Sequence, residues 1–170
     1  MDPQKVILIS GLESSFKEDA VSATKATGLG QFVAGTFAER IAKSRHPELR
    51  ALRGLSREEL LEKGRIQELG IALAEHIKDA EDRVKSAFKA NGIRDNVTLA
   101  DIYTVHNIGN PSMAVAARQG KMALAGVSVK AMRNNAQLYE NGINTTAKQY
   151  METVDRKFVV IDAKLRNGKS

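Results

Sequence analysis

Apolar residues of this chain recur mainly at steps of three and four positions, which is the spacing of an amphipathic α-helix. The clearest example is one long apolar stripe, formed by Ile66, Leu69, Leu73, Ile77, Ala80, Val84 and Phe88. Only the short runs 5–9 and 157–161 are rich in β-branched residues, so no strand pattern competes with the helices. The pattern predicts a single all-α domain over residues 1–170.

Capping residues predict where these helices begin. The pairs Ser56–Glu59 and Thr98–Asp101 have the spacing of a capping box, and Ser128 is placed to cap a further short helix. The predicted helices are 3–15, 28–41, 56–91 with an interruption near residue 64, 98–108, 110–120, a short one after residue 128, and 146–165. Residues 17–27 are predicted as a loop, and a basic connection that contains Pro47 and Gly54 is predicted after the second helix.

Composition is that of a globular protein, with 42% hydrophobic and 27% charged residues among 170. The absence of cysteine excludes disulfides, thiolate nucleophiles and zinc–thiolate sites. The apolar run Val6–Ile9 is short and no basic region precedes it. We therefore expect neither a signal peptide nor a membrane-spanning helix.

The charge of the chain is unevenly distributed. Lysine and arginine exceed aspartate and glutamate by 26 to 20, a net charge of +6. Between residues 40 and 57 the basic residues Arg40, Lys43, Arg45, Arg50, Arg53 and Arg57 are opposed by Glu48 alone. Such an excess favours polyanionic partners, which include nucleic acid, anionic membranes and acidic cell-wall polymers.

One carboxyl group occupies an unusual position near the end of the first predicted helix. Glu13 shares a helical face with the apolar residues Val6, Ile9 and Phe16. Burial disfavours the charged form of a carboxyl group and raises its pKa, which suits a general acid at neutral pH. The alternative is a carboxylate at a helix end that bends out to solvent.

Other kinds of site find little support in the sequence. The histidines at 46, 76 and 106 have no metal-binding spacing, and no metal or cofactor is predicted. The glycines of 28–35 follow no strand and lack the dinucleotide spacing, and no lysine of a phosphate loop follows them, so no nucleotide is expected. A Gly-x-Ser-x-Gly motif is also absent. What remains is Glu13, the glycine-rich turn with Gln31, and the polar cluster 103–109.

Two of these stretches resemble the soluble (SLT-type) lytic transglycosylases of the lysozyme-like superfamily. Glu13-Ser14 stands where that family has its catalytic Glu-Ser pair at the end of a helix. The stretch 20–32, which contains Ala-Val-Ser and then Ala-Thr-Gly-Leu-Gly-Gln-Phe, is similar to a second family motif at the same distance. The resemblance implies a lysozyme-like helical domain with a glycan cleft.

Weaker similarities extend along the rest of the chain. Asn107-Ile108-Gly109 resembles the end of a third family motif, and Tyr150 corresponds to a tyrosine of the last one. The form of 103–109, and the asparagine-rich stretch 134–139, look more like transglycosylase domains of bacteriophage particles. The resemblance thus implies a virion-associated enzyme that acts on the bacterial cell wall without a signal peptide. We expect the chain to be a domain of a larger virion protein.

The resemblance also implies an activity and a set of site residues. The substrate would be peptidoglycan, cleaved at the β-1,4 bond between N-acetylmuramic acid and N-acetylglucosamine with formation of a 1,6-anhydro ring. Glu13 would be the catalytic acid and base. The residues implied in substrate binding are Ser14, Gln31, Phe32, His106, Asn107 and Tyr150. The chain departs from the family pattern at Lys25, His106 and Thr146.

Three alternatives stay open at this stage. A hydrolytic muramidase of the same fold would use a second carboxylate, for which Glu18 and Asp19 are placed nearby in sequence. A basic helical nucleic-acid-binding module would use the segment 40–57 and the basic tail. A structural virion domain with a degenerate fold would have no activity.

Overall fold

A computed structural model describes residues 3–14, 34–56, 59 and 65–168. Within these ranges the chain forms eight α-helices and no strand, apart from one isolated bridge between Met122 and Thr146. The helices are α1 (Pro3–Ser14), α2 (Ala34–Lys43), α3 (Pro47–Ala51), α4 (Ile66–Ala90), α5 (Leu99–Ile108), α6 (Ser112–Arg118), α7 (Val129–Asn134) and α8 (Ala147–Arg166). The all-α prediction is confirmed.

Most predicted helices are found close to their expected boundaries. α1, α4, α5, α6, α7 and α8 match the predictions, and three short 3-10 turns at 123–125, 136–138 and 142–144 were not predicted. No helix was predicted in the basic connection, yet it contains α3, which His46 precedes and Pro47 begins. Proline fits this first position because its missing N–H has no partner there in any case. The predicted loop 17–27 and the predicted helix start at 28–33 lie outside the described residues.

Two compact units make up the chain: unit 1 comprises residues 1–76 and 161–170, and unit 2 comprises residues 77–160. The core of unit 1 is apolar, and its most deeply buried side chains are Ile9, Phe37, Leu49, Ala72 and Leu73. Gln4 Nε2 donates to Asp162 Oδ1 at 3.4 Å, which links the start of α1 to the end of α8.

Arg53 fixes the end of α2 within unit 1. Its Nη2 donates to the carbonyl oxygens of Ala42 at 3.0 Å and Ser44 at 2.8 Å, and its Nε donates to that of Ile41 at 3.3 Å. The last carbonyls of a helix have no partner within the helix, so this guanidinium satisfies groups that would otherwise need water. Arg53 is therefore a structural residue of the basic segment.

Unit 2 is built around α5, whose two ends are both capped. Thr98 Oγ1 accepts from the Asp101 amide, and the Asp101 carboxylate accepts from the Thr98 amide at 2.8 Å, which completes the predicted capping box. At the other end Gly109 has a φ of 87° and donates to Val105. Glycine adopts this left-handed conformation without the clash that a Cβ atom would cause.

Asp101 does more than cap α5. Its carboxylate has no exposed surface and accepts from Arg118 Nη2, at the end of α6, at 2.7 Å. The guanidinium of Arg118 also lies 5.1 Å from the centre of the Phe88 ring on α4, and it pairs with Asp95 at 3.1 Å. One buried ion pair thus connects three helices and the loop before α5.

We expect Asp101→Asn to destabilise the protein by roughly 3–5 kcal/mol, because it leaves the Arg118 guanidinium without its buried counter-charge. Urea unfolding of the variant and the wild type measures this. Asp82→Asn is the matched control, since Asp82 pairs with Lys78 on the exposed surface of α4 and should cost less than about 1 kcal/mol. Equal effects of the two substitutions would contradict the structural role of the Asp101 pair.

Asp155, a second carboxyl group in unit 2, should make the stability of the protein depend on pH. Asp155 keeps exposed surface, and the partial loss of its solvent, followed by the nearby charge of Asp101, raises its pKa above the ordinary value. The folded state then holds this proton more tightly than the unfolded chain. This tighter binding of the proton stabilises the folded state. The stabilisation is complete below the ordinary carboxyl pKa, and it is lost as pH rises through the raised pKa of the folded state.

Asp155→Asn should therefore stabilise the protein relative to the wild type more at neutral pH than at acidic pH. The measurement is the difference in urea midpoint between the two proteins across a pH series. A difference that is constant with pH would show that Asp155 titrates as it does in the unfolded chain.

Candidate active site

Glu13 and Ser14 are the last two residues of α1. Pro3 begins this helix, and its buried residues, which include Leu8, Ile9 and Ser14, lie around most of its circumference. Ser14 Oγ donates to the Ser10 carbonyl at 2.9 Å, which holds the serine side chain against its own helix. The Glu13 side chain is partly buried. Glu13 and Ser14 thus stand at the end of the helix as predicted, whereas Phe16 of the predicted apolar face lies outside the described residues.

The position of Glu13 suits a residue that exchanges a proton. The C-terminal end of a helix carries partial negative charge, and a partly apolar environment further disfavours a carboxylate. A neutral carboxylic acid at such a position can donate a proton to a leaving group. The Ser14 side chain beside it is held in place by its hydrogen bond to the Ser10 carbonyl.

Several predicted site residues fall in the range 15–33. Gln31 and Phe32 of the second motif, and Lys25 at the first departure from the family pattern, lie outside the described residues. Their predicted roles stay predictions. The same holds for Glu18 and Asp19, the candidate second carboxylates.

His106 and Asn107 lie together on the last turn of α5, in unit 2. Both side chains are partly buried. Asn107 Nδ2 donates to Asn135 Oδ1 at 3.3 Å, and Asn135 Nδ2 donates to the Ala131 carbonyl on α7 at 3.1 Å. The His106 ring centre is 6.0 Å from that of Tyr103. This chain of amides joins the end of α5 to α7.

Tyr150 is fully buried on α8. Its ring lies 5.1 Å from that of Tyr139, centre to centre. Burial raises the pKa of Tyr139 to about 12, so its phenol keeps its proton at physiological pH. The burial of Tyr150 favours a packing role, and its implied contact with a substrate stays a prediction.

Among the buried polar atoms of unit 2 that make no hydrogen bond within the described part of the chain, two lie close to predicted site residues. They are the Asn107 Oδ1 acceptor and the Tyr139 phenol, which is a donor. Buried polar groups without partners are uncommon, because each costs about 1–3 kcal/mol. A ligand with amide and hydroxyl groups, such as an N-acetylated sugar, has the groups to satisfy both kinds of atom.

The predicted site residues that are described therefore divide between the units. Glu13 and Ser14 belong to unit 1, whereas His106, Asn107 and Tyr150 belong to unit 2. Sequence reasoning assigned no role to Asn135 and Tyr139, although both lie in the asparagine-rich stretch that it cited. The sequence feature that could have indicated these two residues is the spacing of polar and aromatic residues in a segment with little helical periodicity.

The described residues offer neither a metal site nor a membrane-spanning helix. Within them no group of histidine and acidic side chains could hold a metal ion, and no helix has the length and apolar character needed to cross a bilayer. Two residues of the basic segment already make contacts within the protein, because Arg53 binds carbonyl groups at the end of α2 and Lys43 pairs with Glu39.

The segment that contains Glu13 also matches a known family. Residues 1–54 match the family model described as "Transglycosylase SLT domain". A search of curated proteins found no match to the chain. The family match includes the Glu13-Ser14 pair and the glycine-rich stretch 28–32. The match covers 54 of the 170 residues, and it supports a relation of this segment to the transglycosylases.

Proposed function

We propose that this protein is a peptidoglycan lytic transglycosylase in which Glu13 is the catalytic acid and base. The observation that carries the proposal is the Glu13-Ser14 pair at the end of α1, inside the segment that matches the transglycosylase family. The partly buried Glu13 carboxyl next to an ordered serine has the features that proton transfer requires.

The proposed reaction needs one carboxyl group. Neutral Glu13 donates its proton to the glycosidic oxygen between N-acetylmuramic acid and N-acetylglucosamine, and the bond from that oxygen to muramoyl C1 breaks. The Glu13 carboxylate then takes the proton of the muramoyl C6 hydroxyl as its oxygen attacks C1. The products are a 1,6-anhydro end and a free hydroxyl on the leaving sugar, and Glu13 is neutral again.

Internal attack explains why one carboxyl group suffices. The C6 hydroxyl belongs to the same sugar as C1, and well-oriented intramolecular reactions reach effective concentrations of about 10⁵–10⁸ M. Ser14 and Gln31 would orient Glu13 and the substrate acetamide. Phe32, His106, Asn107 and Tyr150 complete the proposed set of binding residues, and among these Asn107 has an unsatisfied acceptor atom.

A hydrolytic muramidase is the alternative within the same fold. It requires a second carboxyl group at roughly 5–10 Å from the first, either as a nucleophile or to activate water. The candidates are Glu18 and Asp19, which lie outside the described residues. We favour internal cyclisation because the Glu13-Ser14 pair lies in the segment that matches a transglycosylase family.

We place the enzyme in a bacteriophage particle, where it would open the cell wall during penetration. This proposal is supported by the form of the polar cluster 103–109 and by the asparagine-rich stretch 134–139. A larger virion protein would carry the domain to the wall. A net charge of +6 favours association with anionic wall polymers, and this attraction should weaken as salt is added.

Glu13→Gln should lower the rate of peptidoglycan lysis by roughly 10²–10⁴-fold, the usual contribution of a general acid, because the amide cannot donate or accept the proton. The decrease in turbidity of a cell-wall suspension measures the rate. Co-sedimentation with the same walls should be unchanged, since the substitution keeps the size and shape of the side chain.

Glu39→Gln is the matched control, since Glu39 is an exposed residue of α2 that pairs with Lys43. It should lyse walls at the wild-type rate. Lysis by Glu13→Gln at the rate of this control would overturn the assignment. A wild-type protein that binds walls without any lysis would favour the structural virion domain, and binding of DNA in place of walls would favour the nucleic-acid module.

A further inference from the structure

Four large apolar side chains are exposed on neighbouring surface elements of unit 2. Met122 and Leu124 are each 41% exposed, Val129 is 38% exposed and Ile143 is 57% exposed. Met122 and Leu124 lie beside and on the 3-10 turn 123–125, Val129 lies on α7 and Ile143 on the turn 142–144. The turn 142–144 contacts both of the other elements. We call these four residues the apolar patch. Exposed apolar groups that cluster in this way usually mark an interaction surface.

The backbone under the apolar patch is firmly held. The Ala123 amide donates to Thr145 at 2.9 Å, and the Ala147 amide donates to Lys121 at 3.0 Å, so the two turns are bridged on both sides of Met122. Gly126 approaches α6 so closely that a Cβ atom there would lie 2.7 Å from the backbone of Met113. The apolar patch is therefore displayed on a fixed scaffold.

Three basic residues lie next to members of the apolar patch in the chain, or one helical turn away. Lys121, Lys130 and Arg133 are exposed, and among the described residues none of the three makes an ion pair. We call these three residues the basic rim. The one acidic residue between 121 and 146 is Glu140, whose charge is offset by Arg156 at 2.6 Å. The segment 121–146, which carries the apolar patch, is thus positively charged.

We propose that the apolar patch and the basic rim bind the surface of an anionic lipid bilayer. Shallow insertion at the headgroup boundary needs a few apolar side chains flanked by lysine or arginine, which is the arrangement seen. A second copy of the chain is a poorer occupant. Four side chains fall short of the roughly 800 Å² per partner in a standard interface, and two basic rims would repel each other.

The experiment is co-sedimentation of the full chain with vesicles of phosphatidylglycerol and phosphatidylethanolamine, compared with vesicles of phosphatidylcholine alone. The wild type should bind the anionic vesicles, and added salt should weaken this binding. The double variant Leu124→Glu/Ile143→Glu should bind about tenfold more weakly or less, since it removes two inserting side chains and adds two repelled charges. Lys130→Glu/Arg133→Glu should also weaken binding.

Val159→Glu/Val160→Glu is the matched control. These valines are 68% and 54% exposed, and the double substitution changes the net charge by the same amount. Val159 lies about 18 Å along α8 from Ala147, beyond the Debye length of about 8 Å at physiological salt. This control should bind anionic vesicles as the wild type does.

Three results would overturn the proposal: no preference for anionic vesicles, an equal loss in the control, or a dimer in solution that Leu124→Glu/Ile143→Glu dissociates. The inference does not depend on glycan cleavage. Repeating the sedimentation with Glu13→Gln separates vesicle binding from glycan cleavage, because that variant should bind vesicles normally whether or not Glu13 is catalytic.

Discussion

The buried pair between Asp101 and Arg118 is the interaction on which the organisation of unit 2 depends. Asp101 caps the start of α5, while Arg118 ends α6 and covers the Phe88 ring of α4. Anchoring one end of α5 fixes the other end, where His106 and Asn107 lie. A charge without exposed surface costs too much to leave unpaired, so these helices must pack in the register that brings the two groups together.

Much of this organisation could be predicted from the sequence, because its causes are local. The Thr98–Asp101 box, the Ser128 cap and the apolar stripe of α4 are set by residues within a few positions of each other, and the structure confirms them. Helix α3 and the 3-10 turns were missed, since short turns have little periodicity.

Contacts between residues distant in sequence could not be predicted. In the sequence, nothing distinguishes Arg53 from the other cations of the basic segment. In the structure, its guanidinium binds carbonyl groups at the end of α2. Asn135 and Tyr139 acquire a role only when the fold brings them to Asn107 and Tyr150. For the candidate site, the sequence placed Glu13 and Ser14 correctly on α1, because the end of a helix is a local feature. It could not predict that Tyr150 would be buried.

If Glu13 cleaves peptidoglycan by internal cyclisation, the products carry a distinct mass, which mass spectrometry of the soluble fragments released from purified cell walls can detect. We expect muropeptides that end in 1,6-anhydro-N-acetylmuramic acid, lighter by one water than hydrolysis products, and their absence with Glu13→Gln. Fragments with reducing N-acetylmuramic acid ends would contradict internal cyclisation and assign the protein to the hydrolytic muramidases.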